Sequence, residues 1–513
     1  PYLSLLYNVG MFMADTNTKS CRTKIIKLIM NKPLFCSLLL TAAMFLSGCT
    51  GESSLLSVDF TEPVSDQNRV IYQLNVGAFT PEGTFSAAQQ QLDRLDTLGV
   101  DILWLMPVYP RGATMNSPYA SMDFRQVNPA YGTVSDMEAF VAAAHERGMK
   151  VWLDWVPNHV AVENPWVATH PDYFTHDAQG QMIHPHGWSD VYELNYQNVE
   201  LVETMNEALK FWVSAADIDG FRFDYVSSAT IPLQYWHDVI RELKEDKPSL
   251  EFLSEADITN PENHSINPCG FDYDYAWDFQ SALAWRFGSE QIQADSLRDI
   301  CQELLRASKT VENRRMVYLT NHDQNYNDGG HTLKDFYGDN RYNLTVLEFT
   351  FYGMPLLYQG QEIGDPDTLN YFTDARVRWN RADPKMLNTV RTLIALHHTQ
   401  SALAADAPVS FVTTSDPHVL AYQRGPVLVV LNLGKTDVLV NLCDIATGSY
   451  DQWLSSATIA QGPSCRTTTL APDSPVKLEA GGYSVYVQSI NNVVLISAYS
   501  VKAKALRLMA NSC

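Results

Sequence analysis

The sequence predicts an α/β protein: a closed (β/α)8 TIM barrel with a short inserted loop domain after strand 3, followed by a C-terminal antiparallel β-sandwich. Three observations favour this fold. From Arg69 onward, apolar β-branched runs alternate with longer stretches of helical periodicity, which is typical of strands and helices in turn. There are eight such apolar runs, the number that closes a parallel barrel. After about residue 403 the apolar runs continue without long helical stretches, as in a sandwich.

The barrel elements follow from these patterns. In chain order the predicted strands are Val70–Val76, Asp101–Pro107, Lys150–Val156, Gly220–Asp224, Glu251–Ala256, Gly270–Tyr273, Met316–Thr320 and Pro355–Gln359. The predicted helices are Phe85–Leu98, Val134–Arg147, Val199–Ala216, Leu233–Lys244, Asp295–Ala307 and Asn343–Tyr352. Phe85, Ala88 and Leu92 stand at steps of three and four, which places them on one helix face. Gly99 and Gly148 follow the first two helices, where glycine commonly stops a helix.

Two regions flank this repeating pattern. A longer loop over residues 160–194 is rich in His, Pro, Trp and Asp, and loops of this length are usually functional. The barrel is expected to span 69–384, and 385–488 to hold a final helix, Met386–Leu403, and the sandwich. The predicted sandwich strands are Val419–Gln423, Val427–Asn432, Val438–Leu442 and Tyr483–Gln488. The tail, 489–513, has no assigned role.

The N-terminal region predicts export. Lys32 precedes an apolar run from Leu34 to Leu46 that is too short to span a bilayer comfortably. The run ends in Leu46-Ser47-Gly48-Cys49, which resembles a bacterial lipobox and predicts lipidation of Cys49. The alternative is an ordinary cleaved signal that contains a cysteine. We therefore expect an upstream and signal segment at 1–48, a linker at 49–68, and contact with a bacterial membrane through the lipid anchor only.

The net charge of the chain indicates which classes of binding partner are favoured. The formal charge is −22, which disfavours nucleic acid or an anionic membrane surface, because both need basic protein surface. A neutral or cationic substrate fits this charge better. In an oxidising compartment Cys443 and Cys465 are candidates for a disulfide, and Cys269 with Cys301 is a weaker pair.

Four acidic residues end apolar runs: Asp154, Asp224, Glu255 and Asp323. A carboxylate at the end of a core strand is costly unless a polar site receives it, because burying an unpaired charge is unfavourable. The chemistry of such barrels takes place at the carboxyl ends of the strands. We therefore expect the four acids to share one site.

The acids suit the hydrolysis of a glycosidic bond with retention. That reaction needs one carboxylate to attack the anomeric carbon and another to protonate the leaving oxygen and later activate water. Asp224 and Glu255 are placed to be this pair. Arg222 points to the same side of an extended strand as Asp224, so we expect its charge to keep Asp224 ionised. Glu255 needs a raised pKa, which the apolar neighbours Phe252 and Leu253 favour.

At these acids the chain resembles the α-amylase family, glycoside hydrolase family thirteen. The segments that resemble its four conserved regions are Asp154-Trp155-Val156-Pro157-Asn158-His159, Gly220-Phe221-Arg222-Phe223-Asp224, Phe252-Leu253-Ser254-Glu255-Ala256 and Asn321-His322-Asp323. Supporting matches are Tyr119 four residues before Asp123, Leu194-Asn195, Gly353-Met354-Pro355 and Tyr358-Gln359-Gly360-Gln361-Glu362. The matches run in family order between about Arg69 and Gln488.

The resemblance implies a role for each residue. It makes Asp224 the nucleophile, Glu255 the acid/base and Asp323 the stabiliser of the transition state. It also implies substrate-binding side chains, which are Tyr119, Asp154, His159, Arg222 and His322. For Asp154 an orienting role is favoured over a direct one, and the two histidines could instead be buried core residues.

Other positions leave alternatives open. His184-Pro185-His186 has the spacing of metal ligands, but the proline and exposure favour a solvated loop. Trp188 either stacks on a sugar or fills the core of its own loop. Ser228 stands where the family often has a histidine that contacts the leaving-group side.

Calcium is the open cofactor question. Many relatives hold a structural calcium ion between barrel and inserted loop, and here Asn158 matches the asparagine ligand while Asp190 is the candidate loop aspartate. Calcium takes six to eight oxygen ligands, and the sequence supplies few more. We expect no required cofactor and leave calcium open.

The sequence therefore predicts an exported, lipid-anchored hydrolase of α-1,4-linked glucans such as starch and maltooligosaccharides. One alternative is a transglycosylase or isomerase that uses the same acids. Another is a non-catalytic glycan-binding surface lipoprotein, although such relatives generally lack at least one of the three acids. Endo or exo action, acceptance of α-1,6 branches and the oligomeric state stay open.

Overall fold

The structure is a computed structural model, which describes residues 65–287, 294–311, 314–326, 330–463 and 465–489. The predicted signal segment, the lipobox with Cys49 and the tail from residue 490 lie outside these ranges. Within them, no helix is long and apolar enough to cross a bilayer.

The strands are numbered in chain order. They are β1 Ile71–Leu74, β2 Ile102–Leu105, β3 Lys150–Trp155, β4 His159–Ala161, β5 Val191–Glu193, β6 Gly220–Phe223, β7 Glu251–Ser254, β8 Tyr273–Tyr275, β9 Arg314–Val317, β10 Met354–Tyr358, β11 Ser410–Val412, β12 Val419–Arg424, β13 Val427–Asn432, β14 Val438–Asn441, β15 Gly448–Ser455, β16 Arg466–Leu470, β17 Pro475–Leu478 and β18 Tyr483–Gln488.

The α-helices are numbered in the same way. They are α1 Val76–Phe79, α2 Phe85–Gln89, α3 Leu92–Leu98, α4 Val134–Glu146, α5 Trp166–Thr169, α6 Val199–Ala215, α7 Leu233–Asp246, α8 Trp277–Phe287, α9 Ala294–Ser308, α10 His322–Tyr326, α11 Leu333–Tyr337, α12 Arg341–Thr350 and α13 Pro384–Thr399. Short 3₁₀ turns include Pro185–Gly187, Pro261–Cys269 and Ser401–Leu403.

Eight parallel strands close into a barrel in the order β1-β10-β9-β8-β7-β6-β3-β2. The first and last barrel strands pair through Ile71 and Leu356, which closes the sheet. The predicted barrel is therefore confirmed. Closure brings the carboxyl ends of all eight strands to one rim, so the side chains that follow them converge there.

Alternation along the strands separates two cores. One set of strand residues fills the barrel interior, and these are Ile71, Ile102, Trp104, Trp152, Leu253, Tyr273, Tyr275, Met316, Met354 and Leu356. Their neighbours face the helices outside, because successive side chains of a strand point to opposite faces. Gly220 leaves room for this interior: a Cβ there would lie 2.2 Å from the Glu251 carbonyl oxygen and 2.7 Å from the Trp152 ring.

Among the barrel elements, three predictions differ from the structure in more than the trimming of an end. The helix predicted over Phe85–Leu98 is two helices, α2 and α3, because Gln90 and Gln91 donate to carbonyls three residues back and tighten the chain into a turn. The strand predicted at Gly270–Tyr273 begins only at Tyr273, since Gly270 is left-handed at φ 100° and ends a 3₁₀ turn. The strand predicted at Met316–Thr320 begins two residues earlier, at Arg314.

The inserted loop contains secondary structure that the sequence pattern does not predict. Strands β4 and β5 pair as an antiparallel ribbon, with His159 opposite Glu193 and Ala161 opposite Val191. Each strand has three residues, too few for a periodic signal to be recognised. The ribbon ties both ends of the loop to the barrel rim.

The C-terminal region is a sandwich of a six-stranded sheet, β11-β12-β13-β18-β15-β16, and a two-stranded sheet, β14-β17. Alternate residues of the larger sheet face opposite ways. Val419 and Ala421 join the core between the two sheets, whereas Leu420 and Tyr422 pack into the core shared with the barrel helices. The predicted final helix Met386–Leu403 ends at Thr399, and a 3₁₀ turn follows it.

Neither of the two candidate disulfides is formed. Cys269, Cys301 and Cys443 are thiols, so neither the pair Cys269–Cys301 nor the pair Cys443–Cys465 is formed. Cys269 and Cys301 are buried in the apolar core, where burial raises the pKa of the thiol.

Candidate active site

The four acids meet at the carboxyl end of the barrel. Asp154 lies near the end of β3, and Asp224 and Glu255 directly follow β6 and β7. Asp323 is the second residue of α10, the short helix that comes after β9. Two-residue periodicity explains the convergence on the barrel interior. Asp154 follows inward-facing Trp152 by two positions, and the same spacing turns the residues after β6 and β7 inward.

Arg222 is the hub of the site. Its Nη1 donates to Asp154 Oδ1 at 2.9 Å and to Asp224 Oδ1 at 2.8 Å, and its Nη2 lies 2.7 Å from Glu255 Oε1. Its Nε donates to the Tyr275 hydroxyl at 3.2 Å. One buried guanidinium therefore holds three carboxylates together, which brings Asp224 and Glu255 within reach of a single sugar ring.

Asp224 has an oxygen available to a ligand. Among the described residues, Arg222 is the only hydrogen-bond donor to this carboxylate, and it binds Oδ1. The side chain is 12% exposed and lines the main cavity. Burial raises the pKa of Asp224 to about 6, opposed by Arg222 and reinforced by Asp154 and Asp323. The expectation that Arg222 holds this pKa low is thus only partly met, because burial outweighs the cation.

The pKa of Glu255 is shifted in the same direction as that of Asp224 and reaches a higher value. Burial raises its pKa to about 8, with Asp224 and Asp323 adding to the shift against the attraction of Arg222. The backbone N–H of Tyr225 donates to Glu255 Oε2 at 2.7 Å. Tyr225 has a left-handed φ of 47°, an unfavourable conformation for a bulky residue. The backbone turn after Asp224 therefore positions Glu255, and its N–H lowers the pKa of Glu255 against the larger effect of burial.

Asp154 is an orienting residue. It is fully buried, and both its oxygens accept from protein: Oδ1 from Arg222, and Oδ2 from Trp104 Nε1 at 3.1 Å and the Tyr119 hydroxyl at 3.2 Å. Neither Asp154 nor Arg222 lines the cavity. This position agrees with the orienting role favoured for Asp154. It does not support the predicted contact of Arg222 with substrate, because neither side chain reaches the cavity.

A relay of hydrogen bonds fixes the residues around Asp323. Gln73 Nε2 donates to His322 Nδ1 at 2.7 Å, and His322 Nε2 lies 2.6 Å from the Tyr119 hydroxyl. Burial lowers the pKa of His322 to about 4, so the ring is neutral and Gln73 assigns its proton to Nε2. His322 Nε2 is also 3.5 Å from Asp323 Oδ1. The relay ends at Asp154, whose Oδ2 accepts a hydrogen bond from the Tyr119 hydroxyl.

Gln73 is a site residue that the sequence prediction missed. It lies on β1, and both ends of its amide bind His322: Nε2 to the ring and Oε1 to the backbone N–H at 3.2 Å. The one available signal was a polar residue at the centre of the apolar run Val70–Val76. That signal does not name the partner, which lies 249 residues away in the chain.

A cavity of about 870 Å³ opens above these groups. Its lining residues include Tyr119, His159, His186, Trp188, Asp190, Asp224, Tyr225, Glu255, Asp257, Trp277, His322, Asp323, Tyr326 and Tyr371. Most are polar or aromatic, the combination that binds sugars through hydroxyl hydrogen bonds and ring stacking. Burial lowers the pKa of His159 to about 4, so it is a neutral hydrogen-bonding group.

The predicted calcium ligands do not form a common site. At one end of the β4–β5 ribbon the backbone N–H of Leu194 donates to the carbonyl oxygen of Asn158. At the other end the backbone N–H of Val162 donates to the carbonyl oxygen of Asp190. Four residues of extended strand separate these ends, roughly 13 Å, too far for one ion at 2.3–2.6 Å from both side chains. Asn158 Oδ1 is buried without a hydrogen bond. No group of three or more acidic, His or Cys residues in the described ranges could hold a metal.

The histidines with metal-like spacing have other roles. His184 Nδ1 lies 2.8 Å from the Val191 carbonyl oxygen and 3.2 Å from that of Trp188, so it bridges the turn. Its ring also packs at a tilt against the ring of Tyr192, with 4.6 Å between the centroids. His186 points to the cavity. The two rings therefore shape the inserted loop.

Comparison with known proteins places the chain among glycoside-active enzymes. The family model described as "Alpha amylase, catalytic domain" matches residues 59–394. Similar proteins include the α-amylase MalA of Haloarcula japonica, 27% identical over 76% of this chain and 60% of that one. The malto-oligosyltrehalose trehalohydrolase of Saccharolobus solfataricus is 28% identical over 67% of this chain and 65% of that one. The chain thus spans about three fifths to two thirds of the length of these relatives.

A solved structure has the same fold over its whole length. The maltogenic α-amylase AmyB of Thermotoga neapolitana superposes with a TM-score of 0.69 at 25% identity, covering 83% of this chain and 100% of that one. The match includes the barrel and the sandwich, since it extends well beyond the barrel residues alone.

Proposed function

Because the chain belongs to the α-amylase family, we propose that it is a retaining glycoside hydrolase that acts on α-1,4-linked glucans such as starch and maltooligosaccharides. The observation that carries the proposal is the arrangement around Arg222. One guanidinium binds Asp224 and lies 2.7 Å from Glu255, and both carboxyl groups line one cavity. Close carboxyl groups belong to retaining enzymes, since inverting enzymes separate theirs to admit a water molecule.

The first step forms a glycosyl-enzyme. At neutral pH Asp224, with a pKa of about 6, is mostly ionised, and Glu255, with a pKa of about 8, is mostly protonated. Asp224 attacks the anomeric carbon while Glu255 donates its proton to the leaving glycosidic oxygen. The negative Asp323 lines the same cavity and stabilises the positive charge of the oxocarbenium-like transition state.

The second step reverses the role of Glu255. Once Asp224 is esterified its negative charge is gone, and that charge is one cause of the raised pKa of Glu255. The pKa of Glu255 therefore falls in the intermediate, while the attraction of Arg222 remains. Glu255 then takes a proton from water, which attacks the anomeric carbon and releases Asp224 and a product of retained configuration.

Two measurements test the proposal directly. Proton NMR of a maltotetraose digest should show the α-anomer as the first product, and 5-fluoro-α-glucosyl fluoride should add one glycosyl mass to the peptide that contains Asp224. A β-anomer as first product, or label on another residue, would contradict the assignment. A parallel digest of starch, pullulan and maltose reports the linkage that the enzyme accepts.

The same geometry also supports transglycosylation, in which a sugar hydroxyl in place of water resolves the glycosyl-enzyme. The many aromatic residues that line the cavity favour binding of a sugar acceptor. Products longer than the maltotetraose substrate would identify this activity. A purely glycan-binding role is disfavoured, because Asp224, Glu255 and Asp323 are all present and share the cavity.

We also propose that the enzyme is exported and held at a bacterial membrane by lipid on Cys49. The support is the order of basic residue, short apolar run and Leu46-Ser47-Gly48-Cys49. In a bacterial host, the protein should partition with membranes, and Cys49→Ser should move it to the soluble fraction. Equal partition of both forms would contradict the anchor. We further propose that no cofactor is required, so that chelation should leave the rate unchanged. A rate that is lost on chelation and restored by calcium would contradict this.

A further inference from the structure

A buried carboxyl group that takes no part in the chemical steps lies behind the active site. Glu348 is on α12, in the layer of helices outside the barrel, and is 1% exposed. Its Oε1 accepts from the backbone N–H of Leu319 at 3.1 Å, and its Oε2 accepts from Gln361 Nε2 at 3.0 Å. Burial raises the pKa of Glu348, and these two hydrogen bonds oppose the shift. Because burying an ionisable group is costly, its two hydrogen bonds require an explanation.

The first donor lies where the pairing between β9 and β10 stops. These two strands form only two residue pairs, at Met316 and Val317 of β9. Leu319 comes two residues after the end of β9, so its backbone does not pair with a neighbouring strand. Its N–H donates to Glu348 instead, and its carbonyl oxygen accepts from the Tyr337 hydroxyl at 2.9 Å. Side chains from outside the barrel therefore replace the missing strand bonds.

Leu319 leads directly to residues that face the substrate. His322 and Asp323 follow it by three and four positions, and both line the cavity. The side-chain oxygen of Asn321 accepts from the backbone N–H of Asp323 at 2.9 Å. This short segment is thus held at its start by Glu348 and near its end by Asn321. A displacement of Leu319 therefore moves Asp323.

Gln361 connects the same carboxyl group to the site by a second path. Its Oε1 accepts from the backbone N–H of Tyr358, at the end of β10, at 3.2 Å. The residue after Tyr358 donates its backbone N–H to the carbonyl oxygen of Gln73 on β1 at 3.1 Å. Both ends of the Gln73 amide bind His322. Two hydrogen-bonded paths to His322 therefore begin at Glu348.

We propose that Glu348 is a positioning residue: its carboxyl group joins the chain after β9 to the chain after β10, and this connection fixes His322 and Asp323 at the cavity. The inference rests on the proposed function and adds a residue outside the cavity on which the transition-state stabiliser depends. Glu348 does not itself line the cavity. Its two donors need two acceptor oxygens, which a carboxyl group supplies. A small displacement of Asp323 would weaken its stabilisation of the positive transition state.

The first test exchanges the two side chains. Glu348→Gln keeps the shape, but its amide nitrogen faces one of the two donors, so kcat on maltotetraose should fall about tenfold per folded molecule. Adding Gln361→Glu restores every bond, because the amide at position 348 then accepts from Leu319 and donates to the new carboxyl group, which still accepts from Tyr358. The double variant should return to within about twofold of wild type.

Two results of this exchange would overturn the proposal. One is full activity of Glu348→Gln, and the other is the absence of recovery in the double variant. The matched control is Thr350→Val, at another buried residue of α12, whose hydroxyl contacts that of Tyr422 in the sandwich. This variant should lower the melting temperature but keep kcat within about twofold.

A double-mutant cycle distinguishes positioning from a general loss of structure. On α-maltosyl fluoride, whose reactive leaving group keeps slow variants measurable, Glu348→Gln should lower kcat about tenfold in the wild-type background. In the Asp323→Asn background the same change should cost less than about twofold, because the group through which Glu348 acts is already lost. A tenfold loss in both backgrounds would overturn the proposal.

Hydrogen exchange separates this inference from the proposed function. If the wild type turns over none of these substrates, the proposed function fails, and the exchange of backbone amides then decides the inference. In Glu348→Met, which has no acceptor for either donor, the peptide that covers residues 318–323 should exchange about tenfold faster or more. Thr350→Val should leave this peptide unchanged. Equal exchange in wild type and Glu348→Met overturns the inference.

Discussion

Two buried clusters in the barrel have nearly the same composition. Arg222 binds Asp154 and Asp224 and approaches Glu255. A second arginine, Arg315 on β9, pairs with three aspartates in the same way, and these are Asp257, Asp274 and Asp278. Burial does not distinguish the clusters. The outer acids are 12% and 14% exposed around Arg222 and 17% and 20% exposed around Arg315.

The clusters differ in how their carboxylates are satisfied. Asp257 accepts from the backbone and hydroxyl of Thr259 and from the backbone of Asp278, while Asp278 accepts from the backbone of Phe279. Asp224 receives hydrogen bonds only from Arg222 among the described residues. A carboxylate saturated by fixed donors stabilises the fold, whereas one with a free oxygen facing a cavity can react. The Arg315 cluster also has an oxygen without a hydrogen bond, Asp274 Oδ1, but it is buried away from the cavity. The comparison teaches that a free carboxylate oxygen that faces the cavity, and not burial or charge, marks the catalytic cluster.

The largest effect that sharpens this comparison is expected for Asp224→Asn. The amide keeps the shape of the side chain but cannot attack the anomeric carbon, so kcat should fall by about a thousandfold or more. Initial rates on maltotetraose measure this. Asp278→Asn, the matched change in the other cluster, should keep kcat within about threefold. Comparable losses in the two variants would remove the distinction between the clusters.

A smaller and selective effect is expected for Glu255→Gln. The variant cannot protonate a sugar leaving group, so turnover of maltotetraose should fall roughly a hundredfold or more. Turnover of an α-glycosyl fluoride, whose leaving group needs little protonation, should fall less in the first step. Burst and steady-state kinetics on both substrates separate the two steps. The assignment of Glu255 as the acid would be wrong if both substrates lost rate equally before glycosyl-enzyme accumulated.

Arg315→Met should affect stability more than catalysis. It leaves buried Asp274 and its two neighbours without their cation, so the free energy of unfolding should fall by about 3–5 kcal/mol. Urea unfolding followed by circular dichroism measures the loss. The folded fraction should retain kcat/KM on maltotetraose within about threefold. If stability were unchanged and activity lost, Arg315 would belong to the catalytic machinery.

The smallest effect concerns pH. The value of kcat/KM should rise as pH increases through about 6, because Asp224 ionises, and fall as pH increases through about 8, because Glu255 loses its proton. These limbs describe the Arg222 cluster as a unit, since its acids titrate together. Asp278→Asn should leave both limbs in place. A rate that is flat between pH 5 and 9 would contradict the two pKa values and their assignment.

The sequence by itself determined the alternation of strands and helices and the acids at the strand ends, because both are local patterns. Periodicity of two and of three to four follows from the backbone geometry of a single element. The same periodicity turned Asp154, Arg222 and Asp224 to one side of the barrel. The boundaries of strands and helices were less predictable. Strand β8 begins three residues later than predicted because Gly270 ends a 3₁₀ turn, and the tight turn at Gln90 divides the predicted first helix into two.

Only the tertiary structure decided which polar groups meet. Gln73 and His322 are 249 residues apart, and no local pattern links them. In the sequence the two clusters follow the same pattern, which is an arginine with carboxylates near strand ends. They can be distinguished only when the hydrogen bonds that other elements donate to their carboxylates are known. The position of Trp188 has the same origin: its side chain is exposed, and the rings that contact it come from three different segments of the chain. Satisfaction of polar groups is a property of the packed molecule, and a sequence pattern reports only the residues that it contains.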